Sequence, residues 1–293
     1  MRQSPAVGRR VSVVVATRDR RDQLLATLGM LRSVSGDPPV ILVDNGSTDG
    51  TPEAAGSAYP AVTVLRAGRN LGAAGRTLGV RAAATPYVAF CDDDSWWAPG
   101  ALARAAEHFD AAPQLGLIAG SILVGPQERE DPVCRLMAAS PLPRRPGLPG
   151  PAVLGFVACG AVVRRQAYLD VGGFDPVVFF LGEETLLAQD LAAAGWSLAY
   201  VAEVVAHHHP QPGGDRAGRR RLQHRNALLS SWMRRPHPVP LRDTLRLARR
   251  GRDPDLRGAL LDAARRLPAA LARRRPLPPE VERHVRMLER ARG

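Results

Sequence analysis

Tyr87-Val88-Ala89-Phe90-Cys91-Asp92-Asp93-Asp94-Ser95-Trp96-Trp97 passes from an unbroken apolar segment straight into three carboxylates. An apolar run of this length reads as a strand buried on both faces. Unpaired buried charge is very costly, so the acids belong at the strand's exit, the edge where open α/β sheets hold their ligands. Adjacent like charges repel, and a hard divalent cation such as Mg²⁺ or Mn²⁺ relieves that repulsion. The same residues fit a solvated acidic turn with Asp94 or Ser95 capping the next helix, and this stretch alone weighs the two equally.

Working backwards, Val11–Ala16, Val40–Val43 and Val62–Leu65 are β-branched, apolar strands. Between them lie helical spacing (Leu24, Leu25, Leu28, Leu31), a turn-rich Asp44–Gly50 followed by Pro52, and a glycine-rich Gly68–Gly75 that opens another helix. Strand and helix thus alternate through the first hundred residues, the pattern of a mostly parallel, doubly wound α/β sheet. Working forwards, helices are expected at Pro99–Phe109, Arg165–Val171 and Thr185–Ala194, and strands at Leu115–Val124, Phe156–Arg164 and Ser197–Val205. Gly125–Pro151, rich in Pro and Gly, reads as a long loop or lid.

The charge is uneven. Residues 1–215 hold 18 Arg against 21 acids, whereas residues 216–293 hold 22 Arg against 7, with no Lys anywhere. This asymmetry sets a boundary near Gly213-Gly214, dividing a domain at 1–215 from a basic helical region at 216–293. Helices are expected there at Gly218–Met233, at Leu256–Arg275 with a break at Pro268, and at Glu280–Arg292. Three cysteines indicate no disulfide framework, and no apolar run suits a signal peptide or a bilayer span. The chain is therefore expected to be cytoplasmic or peripheral. Membrane-surface contact at the inner face of the plasma membrane and a solvated or oligomer-forming tail weigh equally for the Arg-rich end. Nucleic acid is disfavoured, since Trp232 is its single aromatic.

Polar clusters follow the strand ends: Thr17 and Asp19, Asp44 and Asn45, Arg76, then Asp92-Asp93-Asp94. In a parallel sheet these share one edge, where they could hold a base, a ribose and a diphosphate. Taken singly, Asp44-Asn45 is an ordinary turn and Asp19 an N-cap. Glu183-Glu184 opens a helix, as first-turn acids do; as function, one would be a general base, its pKa raised by Phe179-Phe180-Leu181. Alternation places His207 and His209 on one face of the last strand and His208 on the other.

Taken in order, Val11–Arg20, Val43–Thr51, Asn70–Arg76, Phe90–Asp94, Gly172–Asp175, Gly182–Glu184 and Gly195-Trp196 resemble a family 2 glycosyltransferase of the GT-A fold over about residues 10 to 210. The resemblance implies a Rossmann-like sheet, a nucleotide-sugar donor (UDP- or dTDP-linked), inverting transfer to a hydroxyl acceptor, and Mn²⁺ or Mg²⁺. It implies donor contacts from Thr17, Asp19, Asp44, Asn45, Arg76, Asp92 and Asp93. Asp92, Asp94 and His207 are implied at the metal, Glu184 as base, and Gly160 within the acceptor-side stretch Gly155–Gly160. Trp97, as a rim for a sugar ring, and Glu183 are further acceptor-side candidates, with core packing the simpler reading of Trp97. Where the family usually has Asp, Glu184 stands here, and the helix after it reads Thr185–Asp190 rather than the usual acid and Arg. A sugar nucleotidyltransferase is the runner-up, weakened because no Gly follows the first strand at Thr17–Arg20. An inactive GT-A domain carrying a basic membrane- or nucleic-acid-binding end is the third reading.

Overall fold

The computed structural model describes residues 10–33, 38–210, 218–250 and 252–291. In chain order the elements are β1 (Val11–Thr17), α1 (Arg21–Arg32), β2 (Val40–Asp44), α2 (Thr51–Ala58) and β3 (Thr63–Arg66). A 3₁₀ turn at Gly72–Gly75 runs into α3 (Arg76–Ala82), then come β4 (Tyr87–Asp92), β5 (Ser95–Trp97), α4 (Ala101–Ala111), β6 (Leu115–Val124), β7 (Arg129–Glu130) and α5 (Pro132–Ala138). A second 3₁₀ turn at Ala158–Gly160 precedes β8 (Ala161–Arg164), α6 (Arg165–Asp170), α7 (Glu183–Ala193) and β9 (Ser197–His208). Four helices close the chain: α8 (Arg219–Arg234), α9 (Val239–Arg249), α10 (Pro254–Ala272) and α11 (Pro279–Ala291).

One sheet carries all the strands, in the order β3-β2-β1-β4-β8-β6-β9-β5, with β7 paired to β6. The β1/β2, β2/β3, β1/β4 and β6/β9 pairs are parallel, while β8, β5 and β7 run the other way. Register aligns the strand exits: Thr17 lies beside Asp44, and Ala16 beside Asp92. Alternation sends Val11, Val13 and Val15 to a core under α1 and α4, and Val14 to a second core with Phe90, Tyr168 and Phe174. Both faces of β1 and β4 are thus buried, as their apolar runs require, and polar groups can emerge only at the strand ends.

The C-terminal helices pack onto this body. Leu228, Leu229 and Met233 of α8, with Ala263 and Ala270 of α10, form one cluster with Val177, Val178 and Leu186. Val281 and Val285 of α11 form another with Leu142, Leu154 and Leu277. The buried Arg234 pairs with Asp190 of α7, and Arg235 with Glu282 at 2.7 Å. The division expected near Gly213-Gly214 lies outside the described residues.

Three sequence expectations are corrected. Gly125–Pro151 is not one long loop: Asp131 caps α5 by accepting from the Val133 amide, Pro132 occupies the first turn, and Cys134 and Met137 are buried. That cap contributes about 1 kcal/mol. Pro268 does not break α10, because the buried Ala263 and Ala270 hold the helix on both sides of it. Lastly, α9 was not expected: its Pro240 falls in the first turn, where a missing N–H costs nothing. Among the described residues no helix is long and apolar enough to cross a membrane.

Candidate active site

The aligned exits of β1 and β4 open into a cleft of about 790 Å³. Thr17, Asn45, Arg76, Asp92, Asp93 and Asp94 line it, together with His208, Arg18, Arg20, Phe179, Phe180 and Arg219. The three aspartates face different partners. Asp92 is held by the buried Arg76. Asp93 accepts from the Thr17 hydroxyl at 2.8 Å and lies 4.0 Å from Arg20; burial pushes its carboxyl up to about 6. Asp94 lies 3.3 Å from His208 Nε2. Burial works against the charge on Arg76, but Asp92, Glu183 and Glu184 outweigh it and keep the guanidinium firmly protonated.

The sheet decides which histidine enters the cleft. β5 pairs antiparallel with β9 so that Ser95 faces His208 and Trp96 faces His207. His207 stacks on Trp96 with ring centroids 5.4 Å apart, and its Nδ1 lies 3.0 Å from Glu128. His209 meets Trp96 edge-on. His207, expected at the metal, therefore sits on the far side of β9, and His208 stands beside the acids. Burial lowers the pKa of His208, yet hydrogen bonding and attraction from Asp94, with Asp92, raise it overall.

Ligand atoms of Asp92, Cys159 and His208 lie within 4.8 Å of one another. Burial pushes the Cys159 thiol well up, so it stays protonated and is a poor match for a hard cation. Of that group, Asp92 and His208 offer the donors that suit Mn²⁺ or Mg²⁺, and Asp94 lies 3.3 Å from His208.

Asp19 and Asp44 are engaged by loop amides. Asp19, at φ 51°, accepts from the Thr48 amide at 2.7 Å, while its own amide donates to Ser47 Oγ. Asp44 accepts from the amides of Gly46 and Ser47 at 3.2 Å. Both carboxylates bind the loops after β1 and β2, and neither lines the cleft. Asn45 does line it, and its amide group donates to Gly72 O at 3.1 Å.

A second cavity of about 590 Å³ is lined by the other end of the Phe179–Glu184 segment. Phe179 and Phe180 face the first cavity; Leu181, Gly182 and Glu184 face the second. This segment is strained: Phe179 and Leu181 have φ of 70° and 71°, values that side chains disfavour. It is clamped from two sides. Phe179 O accepts from the Ala73 amide at 2.8 Å, and a Cβ on Gly72 would come within 2.3 Å of the same oxygen. From α8, the buried Asn226 donates to Phe180 O and Leu181 O, both at 2.6 Å, and Arg225 donates to Val178 O at 3.1 Å. The C-terminal region thus holds the segment that delivers Glu183 and Glu184.

Burial, then repulsion from Glu184, pushes Glu183 up to about 8, and its Oε2 has no hydrogen-bond partner. Burial raises Glu184 as well. Phe156, Val157, Thr185, Gln223, Ser230 and Ser231 also line the second cavity, so apolar and hydroxyl-matching groups surround Glu184. Glu183 lines neither cavity. Trp97, expected on the acceptor side, is wholly buried in the core with α1 and α4. Gly160, likewise expected there, packs against Ile122, which a Cβ would meet at 2.6 Å.

Residues 12–172 match the sequence profile described as Glycosyl transferase family 2. An N-acetylglucosaminyl-diphospho-decaprenol L-rhamnosyltransferase from Mycobacterium tuberculosis is 32% identical over 280 aligned residues, covering 81% of this chain and 90% of that protein. In fold, the chain is similar to a mannosyltransferase from Pyrobaculum calidifontis solved with GDP-Man and Mn²⁺ (TM-score 0.61, 21% identity, 98% of this chain and 81% of that one). It is also similar to residues 1–349 of TarS from S. aureus solved with UDP-GlcNAc (TM-score 0.60, 16% identity, 76% and 65%). Both likenesses show the GT-A fold.

Proposed function

The chain belongs to glycosyl transferase family 2, and from that premise we propose that it moves a sugar, with inversion, from a nucleotide-sugar to a hydroxyl of a saccharide carried on a diphospho-polyprenol lipid. The observation that carries this reading is the cleft lined by acids and arginines with Glu184 close by, lining a second cavity yet near enough to Arg76 and Asp92 to feel their charges. The L-rhamnosyltransferase, whose name gives a lipid-linked acceptor, supports the acceptor class and suggests a deoxyhexose as the sugar.

In this reading Thr17, Asn45 and Asp93 receive the nucleoside, and Arg76, Arg18 and Arg20 face its diphosphate. Asp92, Asp94 and His208 would hold Mn²⁺ or Mg²⁺, which supplies Lewis-acid stabilisation of the departing diphosphate. Burial and mutual repulsion favour one negative charge over two on the Glu183–Glu184 pair, and Glu184 is the member that lines the second cavity. Glu184 takes the proton from the acceptor hydroxyl, whose oxygen attacks the anomeric carbon from the face opposite the diphosphate. A raised pKa makes Glu184 a stronger base for that transfer. Phe179 and Phe180 shield the diphosphate side from water.

The test incubates the protein with UDP-, dTDP- and GDP-linked sugars, rhamnose included, and a diphospholipid-linked N-acetylglucosamine, with Mn²⁺, Mg²⁺ or EDTA. Nucleoside diphosphate release matched by a heavier glycolipid is expected in the metal arms. Pyrophosphate release instead would overturn the reading in favour of nucleotidyl transfer.

A further inference from the structure

The excess positive charge of the C-terminal region is not all spent on the surface. Arg225, Arg266 and Arg274 donate to main-chain carbonyls, and the buried Arg234 and Arg235 pair with acids. α9 differs. Its inner side buries Val239 and Pro240 and packs Leu247 against α8 and α10. Its outer side presents Leu241 and Leu245, 48% and 57% exposed, with Ala248 continuing the same stripe. Arg242, Arg246 and Arg249 flank that stripe, and Arg250 follows. The helix has one carboxylate, Asp243, which turns inward to accept from Ser231 at 2.8 Å and lies 3.5 Å from Arg242. Among the described residues, Arg246, Arg249 and Arg250 have no acidic partner.

An exposed leucine stripe beside unpaired arginines, with no outward acid, matches an anionic lipid surface in both apolar and charge character. Base stacking has no support here, since the outer side carries no aromatic ring. The position of α9 gives the contact a purpose. Asp243 and Ser231 line the same cavity as Glu184, so the helix borders that cavity while its outer side faces away. We propose that α9 is the membrane-docking surface, seating Leu241 and Leu245 in an anionic leaflet and bringing the mouth of the Glu184 cavity to the lipid. The purpose rests on the proposed function; the binding itself does not.

The test is sedimentation of the full chain with phosphatidylglycerol-containing and pure phosphatidylcholine vesicles at low and high salt. Binding to the anionic vesicles alone, weakened by salt, is expected. Replacing Arg246, Arg249 and Arg250 together by Gln should weaken it roughly a hundred-fold, about five-fold for each arginine. Leu241→Ser with Leu245→Ser should abolish it while every charge remains. Transfer to a detergent-solubilised acceptor should stay unchanged in both variants. Equal binding to neutral vesicles, absence of binding, or binding indifferent to both variants overturns the proposal. So does a wild-type dimer in sedimentation velocity that the leucine variant converts to monomer, which would give this face to a second copy of the chain. Failure of transfer with intact vesicle binding would count against the proposed reaction and not against the docking surface.

Discussion

Replacing Asn226 by Ala separates the C-terminal helices from the site they support. The side chain is buried and donates to two successive carbonyls, Phe180 O and Leu181 O, both at 2.6 Å. Each bond has a net worth of about 1–1.5 kcal/mol, so stability should fall by about 2–3 kcal/mol. The segment it holds contains two side-chain-bearing residues at φ near 70°, which cost roughly 1–2 kcal/mol each. Clamp and strain are therefore of similar size, and without the clamp a relaxed segment becomes the favoured state. A bias of about 2 kcal/mol leaves about one molecule in thirty competent, so kcat/KM should fall about thirty-fold. Urea unfolding reads the first effect, and steady-state nucleoside diphosphate release the second. Leu181→Gly in the Asn226→Ala background removes the penalty at one strained position and should recover about a kcal/mol's worth of activity, five-fold. A variant with wild-type stability and wild-type kcat/KM would refute the clamp.

Two further predictions concern the acids and the histidines. The folded-state pKa of Glu183, about 8, lies above its ordinary 4.5, so the folded state holds a proton that the unfolded state has lost between those values. Stability from this group is full below about 4.5 and declines as pH rises towards 8, and Glu183→Gln should flatten that decline in melting temperatures taken from pH 5 to 9. His208→Ala should weaken the melting-temperature rise that Mn²⁺ with nucleoside diphosphate confers, while His207→Ala should leave most of it; the reverse order would return the site to His207.

The first half of the sheet was legible because its signals are local. β1 and β4 are buried on both faces, so their apolar runs announce them, and the polar residues that stop them necessarily fall on one edge. The histidine was not legible, because the choice between His207 and His208 depends on the pairing of β5 with β9, a long-range register. Alternation separates the two but does not say which face holds Asp94. Proline was over-read: Pro240 stands where a first turn tolerates it, and tertiary packing overrides Pro268. Trp97 is the opposite case: core packing is the simpler reading of a tryptophan beside an acidic turn, and its burial with α1 and α4 agrees. Charge counting reported the basic excess of the last helices but not its use. Asn226, which clamps Phe180 and Leu181, carries no charge and left no signal.

The most direct test of the account is Glu184→Gln, with turnover and nucleoside diphosphate binding measured on the same preparation. The carboxamide keeps the shape and loses the base, so turnover should fall by about a hundred- to ten-thousand-fold. Binding should stay within about two-fold of wild type, because Glu184 is not among the residues that line the acid-lined cleft. A variant that turns over at the wild-type rate would contradict the account.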